Sequence, residues 1–166
     1  ITATAGHDTT SNTTAASMWI LAERPDLLAE LKADPKLIPA FIEESVRWAT
    51  SVKHFMRTAV ADAEIGGQKI AKGDWLMLCY QSGNRDETAF ERPFEFDIRR
   101  PQNRHVAFGH GPHVCLGQHL GRMEMRLFWE ELLPRLDSVE LAGAPANSSA
   151  VFVSGPKHVP IRFKLN

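Results

Sequence analysis

Apolar residues recur at helical spacing through Leu116, Leu120, Met123 and Leu127 of "LGQHLGRMEMRLFWEELL", and Pro134 lies just beyond. A long helix is therefore predicted to start at Cys115. Residues 1 to 24, "ITATAGHDTTSNTTAASMWILAER", also read as a helix, although the first half is rich in Thr and carries Gly6 where Ala or Leu would be favoured. Pro25 opens a short amphipathic helix, "PDLLAELKAD", and Pro39 opens another through "AFIEESVRWA". From Phe55 the period changes. "FMRTAV", the Gly66-Gly67 turn inside "EIGGQKI" and the β-rich "DWLMLCY" predict a small sheet that places Cys79 in the core. The charged stretch "NRDETAFERPFEFDIRRPQNRH" reads as a structured meander, and the tail offers strands at "SVEL", "AVFV" and "PIRFKL", the last two joined by "SGPKH". The expected fold class is mainly α with small β-sheets, an α+β arrangement.

Composition narrows the function classes. Nineteen Lys and Arg against twenty Asp and Glu leave a net charge of -1, so no overall field points to nucleic acid or to an anionic membrane. No apolar run is long enough to span a bilayer. Two cysteines in unlike contexts, Cys79 and Cys115, suggest no disulfide framework and favour a reducing, cytoplasmic compartment. The chain opens on Ile1 in mid-pattern, which suggests a piece of a longer protein.

The chemistry concentrates in "FGHGPHVCLG", residues 108 to 117. A cysteine at the mouth of a helix meets unpaired backbone N–H groups and the positive end of the helix dipole, which favour the metal-ligating thiolate. Gly109, Gly111 and Gly117 remove side chains around Cys115, so a large flat group can approach the sulfur, while Phe108 can keep water from it. His113 can donate to an anionic substituent of that group. These features suit axial thiolate ligation of haem iron. A zinc site built from His110, His113, Cys115 and His119 has no familiar spacing and explains neither the glycines nor Phe108. His105, His119 and His158 read as surface residues.

The pattern F-G-x-G-x-H-x-C-x-G resembles the haem-binding signature of the cytochrome P450 family, with every position filled. The resemblance runs along the whole chain and implies the C-terminal portion of that fold, residues 1–166 being part of a single domain whose N-terminal half is absent. It implies haem b (iron protoporphyrin IX) with Cys115 on the iron, and it assigns cofactor contacts to Phe108, Gly109, Gly117, His113, Arg57 and Gly6. "AGHDTT" resembles the family's oxygen-activation segment, in which Thr9 would hydrogen-bond the distal oxygen and Asp8 would relay protons, with His7 facing away from haem. "EESVRW" resembles its E-x-x-R motif, so Glu44 and Arg47 would join Arg100 of "FDIRR", or failing that Arg99, in a structural brace.

"SVKHFMRTA", "NRDE", "CLGQHL" and "GPKHVPIRF" are similar to the bacterial terpineol-hydroxylase branch. That likeness puts Ala5, Val52, Phe55, Phe152 and Val153 in an apolar substrate pocket. It departs at Ser51, where a proline is common, and this is expected to loosen the pocket wall. The activity implied is hydroxylation of a small hydrophobic substrate, a monoterpene or an aromatic hydrocarbon; the alternative is a non-catalytic haem-binding sensor or carrier, or an inactive truncated fragment. Hydroxylation would use O2 and electrons from NAD(P)H through a ferredoxin-type redox partner, with no nucleic acid or membrane involved. Arg104, Arg122 and Arg126 are candidates for a basic docking patch. Without the other half of the haem pocket, the 166-residue chain alone is expected to bind haem weakly and not to turn over.

Overall fold

The structure, a computed structural model, describes residues 2–166; Ile1, the first residue of the predicted first helix, lies outside the described residues. Helix α1 runs unbroken over Thr2–Glu23 despite its threonines. The Thr9 hydroxyl donates to the Ala5 carbonyl at 2.8 Å, and the Thr13 hydroxyl to the Thr9 carbonyl at 2.8 Å, so these hydroxyls are satisfied inside the helix. Helix α2 (Pro25–Ala33) begins on Pro25 and carries Asp26 in its first turn and Lys32 in its last, which suits the helix dipole. A single 3₁₀ turn over Pro35–Leu37 leads into α3, Ile38–Ala49. Thr50 closes α3 in the left-handed region at φ 38°, and its hydroxyl donates to the Arg47 carbonyl at 2.6 Å.

Strands β1 (His54–Thr58) and β4 (Trp75–Cys79) pair antiparallel, with His54 opposite Cys79. Between them β2 (Ala63–Ile65) and β3 (Gln68–Ile70) form a hairpin. Gly66 and Gly67 both have positive φ, 58° and 79°, as a two-residue type I′ turn requires. A one-turn helix, α4 (Tyr80–Gly83), starts the meander, and the long helix α5 covers Gln118–Leu132. In the tail, β5 (Leu136–Leu141) pairs with β8 (Ile161–Leu165), and β6 (Ala146–Asn147) with β7 (Pro156–His158). The core joins α1, α2, α3, α5 and β5 through Leu21, Leu31, Phe41, Trp129 and Leu136. Phe41 and Trp129 meet edge to face at 5.3 Å. The mainly α, α+β class is as expected from the sequence.

Several expectations are corrected. Helix α5 begins at Gln118, three residues past Cys115, because a 3₁₀ turn over Gly111–His113 and a bond from the Cys115 amide to the Phe108 carbonyl at 2.8 Å hold the cysteine in a loop. Periodicity located α5 but not its inner face: Met125 and Trp129 are buried, whereas Leu120, Met123 and Leu127 are exposed and Leu116 is 100% exposed. Cys79 is exposed; among the described residues β1 and β4 pair only with each other. "AVFV" is not a strand; only Val153 bridges, to Val52, while "SGPKH" itself supplies β7. His105 is not a surface residue, its side chain being 3% exposed beside Glu43. His119 and His158 are exposed, as read. Among the described residues no helix is long and apolar enough to cross a membrane.

Candidate active site

A cavity of about 710 Å³ opens between the first half of α1, the loop around Cys115, the start of α5 and the tail. Its wall includes Ala5, Asp8 and Thr9 from α1, Val52 and Phe55 around β1, Phe108, Gly109, His113 and Cys115 from the loop, and Phe152 and Val153 from the tail. Eleven sequence-predicted residues, scattered over nearly the whole chain, are thus brought together. Gly6, Arg57 and Gly117 are not on that wall. Arg57 turns a guanidinium N–H to the Met56 carbonyl at 2.9 Å. A Cβ added at Gly6 would meet nothing within 4 Å, so packing does not explain this glycine.

The cysteine loop depends on its glycines. Gly109 and Gly111 have φ of 71° and 70°, a region that favours glycine, and a Cβ at Gly109 would come 3.4 Å from the Tyr80 hydroxyl. A Cβ at Gly117 would lie 4.0 Å from the Cys115 sulfur. The thiol is left accessible. Among the described residues no three His, Cys, Asp or Glu side chains gather as a metal ion needs. A metal on Cys115 would therefore draw fewer than three such side chains from the described residues, and a prosthetic group, which a broad apolar cavity can accommodate, would supply the other ligands. The residues present fit a thiolate-bound porphyrin.

On α1 the Thr9 hydroxyl proton is held by Ala5, which leaves the oxygen lone pairs as acceptors. Asp8 contacts the cavity and also pairs with His7, whose Nδ1 lies 2.9 Å from an Asp8 carboxylate oxygen. His7 is exposed, so the pair runs from solvent to cavity. Ser51 does not loosen the wall. Its buried hydroxyl lies 3.3 Å from the Thr9 carbonyl and 3.2 Å from the Thr13 hydroxyl, tying the segment that carries Val52 to α1 through a bond that proline could not make.

Behind the loop stands the brace. Arg47 donates to both Glu44 oxygens at 2.7 and 2.8 Å, and Arg100 approaches the same carboxylate at 3.4 and 3.5 Å. Arg47 also donates to the carbonyls of Asn84, Pro93 and Glu95, and Arg100 to those of Glu91, Arg92 and Glu95. Arg99 points elsewhere, to Glu30. Such buried charge persists only when its hydrogen-bonding capacity is satisfied.

Three contributors escaped sequence reasoning. The Asn103 amide donates to Glu44 at 3.0 Å, the Asp97 backbone N–H does so at 2.8 Å, and buried Asn84 accepts from the Val106 amide at 2.7 Å while donating to the Thr50 hydroxyl at 2.8 Å. Asn84 thus links the cap of α3 to the chain entering the cysteine loop. No local signal marks an asparagine in a polar meander for such a task. The expected basic patch is largely neutralised, with Arg122 bonded to Glu43 and Arg126 to Glu130; Arg104 is exposed.

The sequence matches the family described as Cytochrome P450 over residues 2–157. It is 56% identical over 161 residues to cytochrome P450-terp of a Pseudomonas species, covering 97% of this chain and 38% of that protein. It is 39% identical to linalool 8-monooxygenase of Pseudomonas putida, covering 97% and 40% respectively. The crystal structure of CYP108D1 from Novosphingobium aromaticivorans superimposes with a TM-score of 0.97 at 54% identity, covering 100% of this chain and 40% of that one. The chain spans about two fifths of the length of the relatives it matches.

Proposed function

The chain belongs to the cytochrome P450 family, and from that premise we propose that it carries the haem-thiolate and oxygen-activating machinery of a monooxygenase. The observation that carries this reading is the exposed thiol of Cys115 on the same cavity as Asp8 and Thr9. The family's cofactor is haem b. When bound, it supplies the dioxygen chemistry: one oxygen atom enters a substrate C–H bond and the other is reduced to water with two electrons and two protons.

The chain's own residues prepare that chemistry. Cys115 would hold the iron through Sγ, and Phe108, on the same cavity wall, would shield the sulfur once haem is seated. His113 on the cavity wall donates to a propionate. Arg57 spends one N–H on Met56 and has further guanidinium donors for a second propionate. Thr9, its proton held by Ala5, accepts a hydrogen bond from the cavity side. Asp8 takes protons from the exposed His7 side and delivers them beside Thr9. Brace residues Glu44, Arg47 and Arg100 touch no reacting atom and hold the meander that leads into the loop.

The substrate is a small hydrophobic molecule, a monoterpene or an aromatic hydrocarbon, held by Ala5, Val52, Phe55, Phe152 and Val153. Two observations support this: those five positions share the cavity, and one relative is named for the oxidation of linalool. Electrons come from NAD(P)H through a ferredoxin-type partner. The test is turnover of monoterpenes and alkylbenzenes by the protein carrying this chain, with NAD(P)H, ferredoxin and its reductase under ¹⁸O₂. A hydroxylated product with one labelled oxygen is expected, and an unlabelled product contradicts the proposal.

A further inference from the structure

Helix α3 presents two adjacent glutamates, and successive helical residues point about 100° apart. Glu44 turns to the meander and its brace, while Glu43 turns to the cysteine loop and α5. Arg122 of α5 grips Glu43 with two bonds, Nε to Oε1 at 2.6 Å and Nη2 to Oε2 at 3.0 Å. The His105 Nε2 lies 3.1 Å from Glu43 Oε2. A second Arg122 nitrogen, Nη1, is fixed by the Gln118 side chain at 3.0 Å.

Both partners of Glu43 then meet one aromatic ring. The Arg122 guanidinium carbon lies 4.5 Å from the centre of the Phe108 ring, and the His105 ring is 5.7 Å from it. Phe108 in turn accepts the Cys115 amide on its carbonyl at 2.8 Å. Four elements therefore converge: α3, the end of the meander, the cysteine loop and α5. The arrangement carries a cost, because Nδ1 of the buried His105 has no hydrogen-bond partner, and leaving a buried polar atom unsatisfied is destabilising. Burial alone would push the Glu43 carboxyl up, yet the bonds from His105 and Arg122 and their charges hold it at about 2, so the clamp stays ionised at neutral pH.

We propose that Glu43 is a positioning residue which, through His105 and Arg122, clamps the Phe108 ring in place over the cysteine loop and so fixes the environment of the iron ligand. The inference rests on the assignment of Cys115 as that ligand. It adds a second brace, independent of Glu44, Arg47 and Arg100, and acts on the residue whose carbonyl takes the Cys115 amide, whereas the first acts on the meander. Arg122 therefore serves the inside of the protein before it serves any docking partner.

Two variants that change charge in opposite senses test the clamp in the haem-loaded protein carrying this chain. Glu43→Gln removes a negative charge and Arg122→Gln a positive one, so a through-space effect alone would move the haem reduction potential in opposite directions. Release of Phe108 moves it in the same direction in both, and this is the expected result; opposite shifts, or none, overturn the proposal. A second readout needs no haem. Exchange of the Cys115 amide in the apoprotein should quicken about tenfold in both variants, the equivalent of one lost charged hydrogen bond, and unchanged exchange overturns the clamp. Glu130→Gln, which breaks only the exposed pair with Arg126, should leave potential and exchange unaltered; a matching effect there would also overturn it. If the parent protein lacks a thiolate-type Soret band in its reduced, CO-bound form, the ligand assignment fails. If the band is present and the variants show no common shift, only the clamp fails.

Discussion

Arg47 and Glu44 form a two-pronged ion pair at 2.7 and 2.8 Å in which both side chains are 0% exposed. Taking two charges out of water is costly, and here the cost is offset by Arg100, Asn103, the Asp97 amide and three backbone carbonyls. The pair therefore works as the centre of a network. Removing one partner leaves the rest of the network charged and buried.

Arg47→Ala should destabilise the fold by about 3–5 kcal/mol, the range for breaking a buried pair, with the loss read from denaturant midpoints. Arg47→Lys should recover little of it, since an ammonium cannot span both carboxylate oxygens and reach the carbonyls of Asn84 and Pro93. A midpoint for Arg47→Ala within error of the parent would show the pair to be dispensable.

The Glu43 carboxyl has a folded pKa of about 2 against an ordinary value of 4.5. A lowered carboxyl pKa contributes stability in full above the unfolded value, and that contribution disappears as pH falls through the window between 4.5 and about 2. The parent should therefore lose more stability across that window than Glu43→Gln does, as measured by urea unfolding over an acid pH series. Parallel curves would contradict the assignment.

Ser51 and Thr13 share a hydroxyl contact of 3.2 Å across the gap between α1 and the segment after α3. Ser51→Ala should cost about 1 kcal/mol, and a double-mutant cycle with Thr13→Val should return a coupling energy of about 0.5 kcal/mol or more. Additive effects would mean that the two hydroxyls act separately.

Thr9→Ala removes the acceptor beside Asp8 while leaving Cys115 untouched. In the haem-loaded protein carrying this chain, more of the reducing equivalents should emerge as hydrogen peroxide, and Thr9→Ser should restore coupling. Peroxide yield per NAD(P)H oxidised is the measurement, and unchanged coupling in Thr9→Ala would remove Thr9 from the oxygen chemistry.

How far the sequence could be read depends on whether a feature is local. Glycine, histidine and cysteine spacing around Cys115 is local, and the loop is where the motif put it. The Gly66-Gly67 turn and the proline starts of α2 and α3 are local too. Burial is not. Leu116, Leu120, Met123 and Leu127 keep helical spacing, yet the buried side of α5 is Met125 and Trp129, because Phe41 of α3 offers its ring to Trp129. Cys79 sits in an apolar run but is exposed at the end of a two-stranded ribbon. Asn84, Asn103 and His105 gain their roles from partners far along the chain, Thr50, Glu44 and Glu43, and only the fold brings them together.

The central claim is that Cys115 holds haem iron as a thiolate, and the absorption spectrum of the reduced, CO-bound protein carrying this chain tests it most directly. The parent should give a thiolate-type Soret band, and Cys115→His, which offers a neutral nitrogen, should move that band to an imidazole-type position. A parent spectrum without the thiolate band, or a band that survives Cys115→His unchanged, would contradict the account.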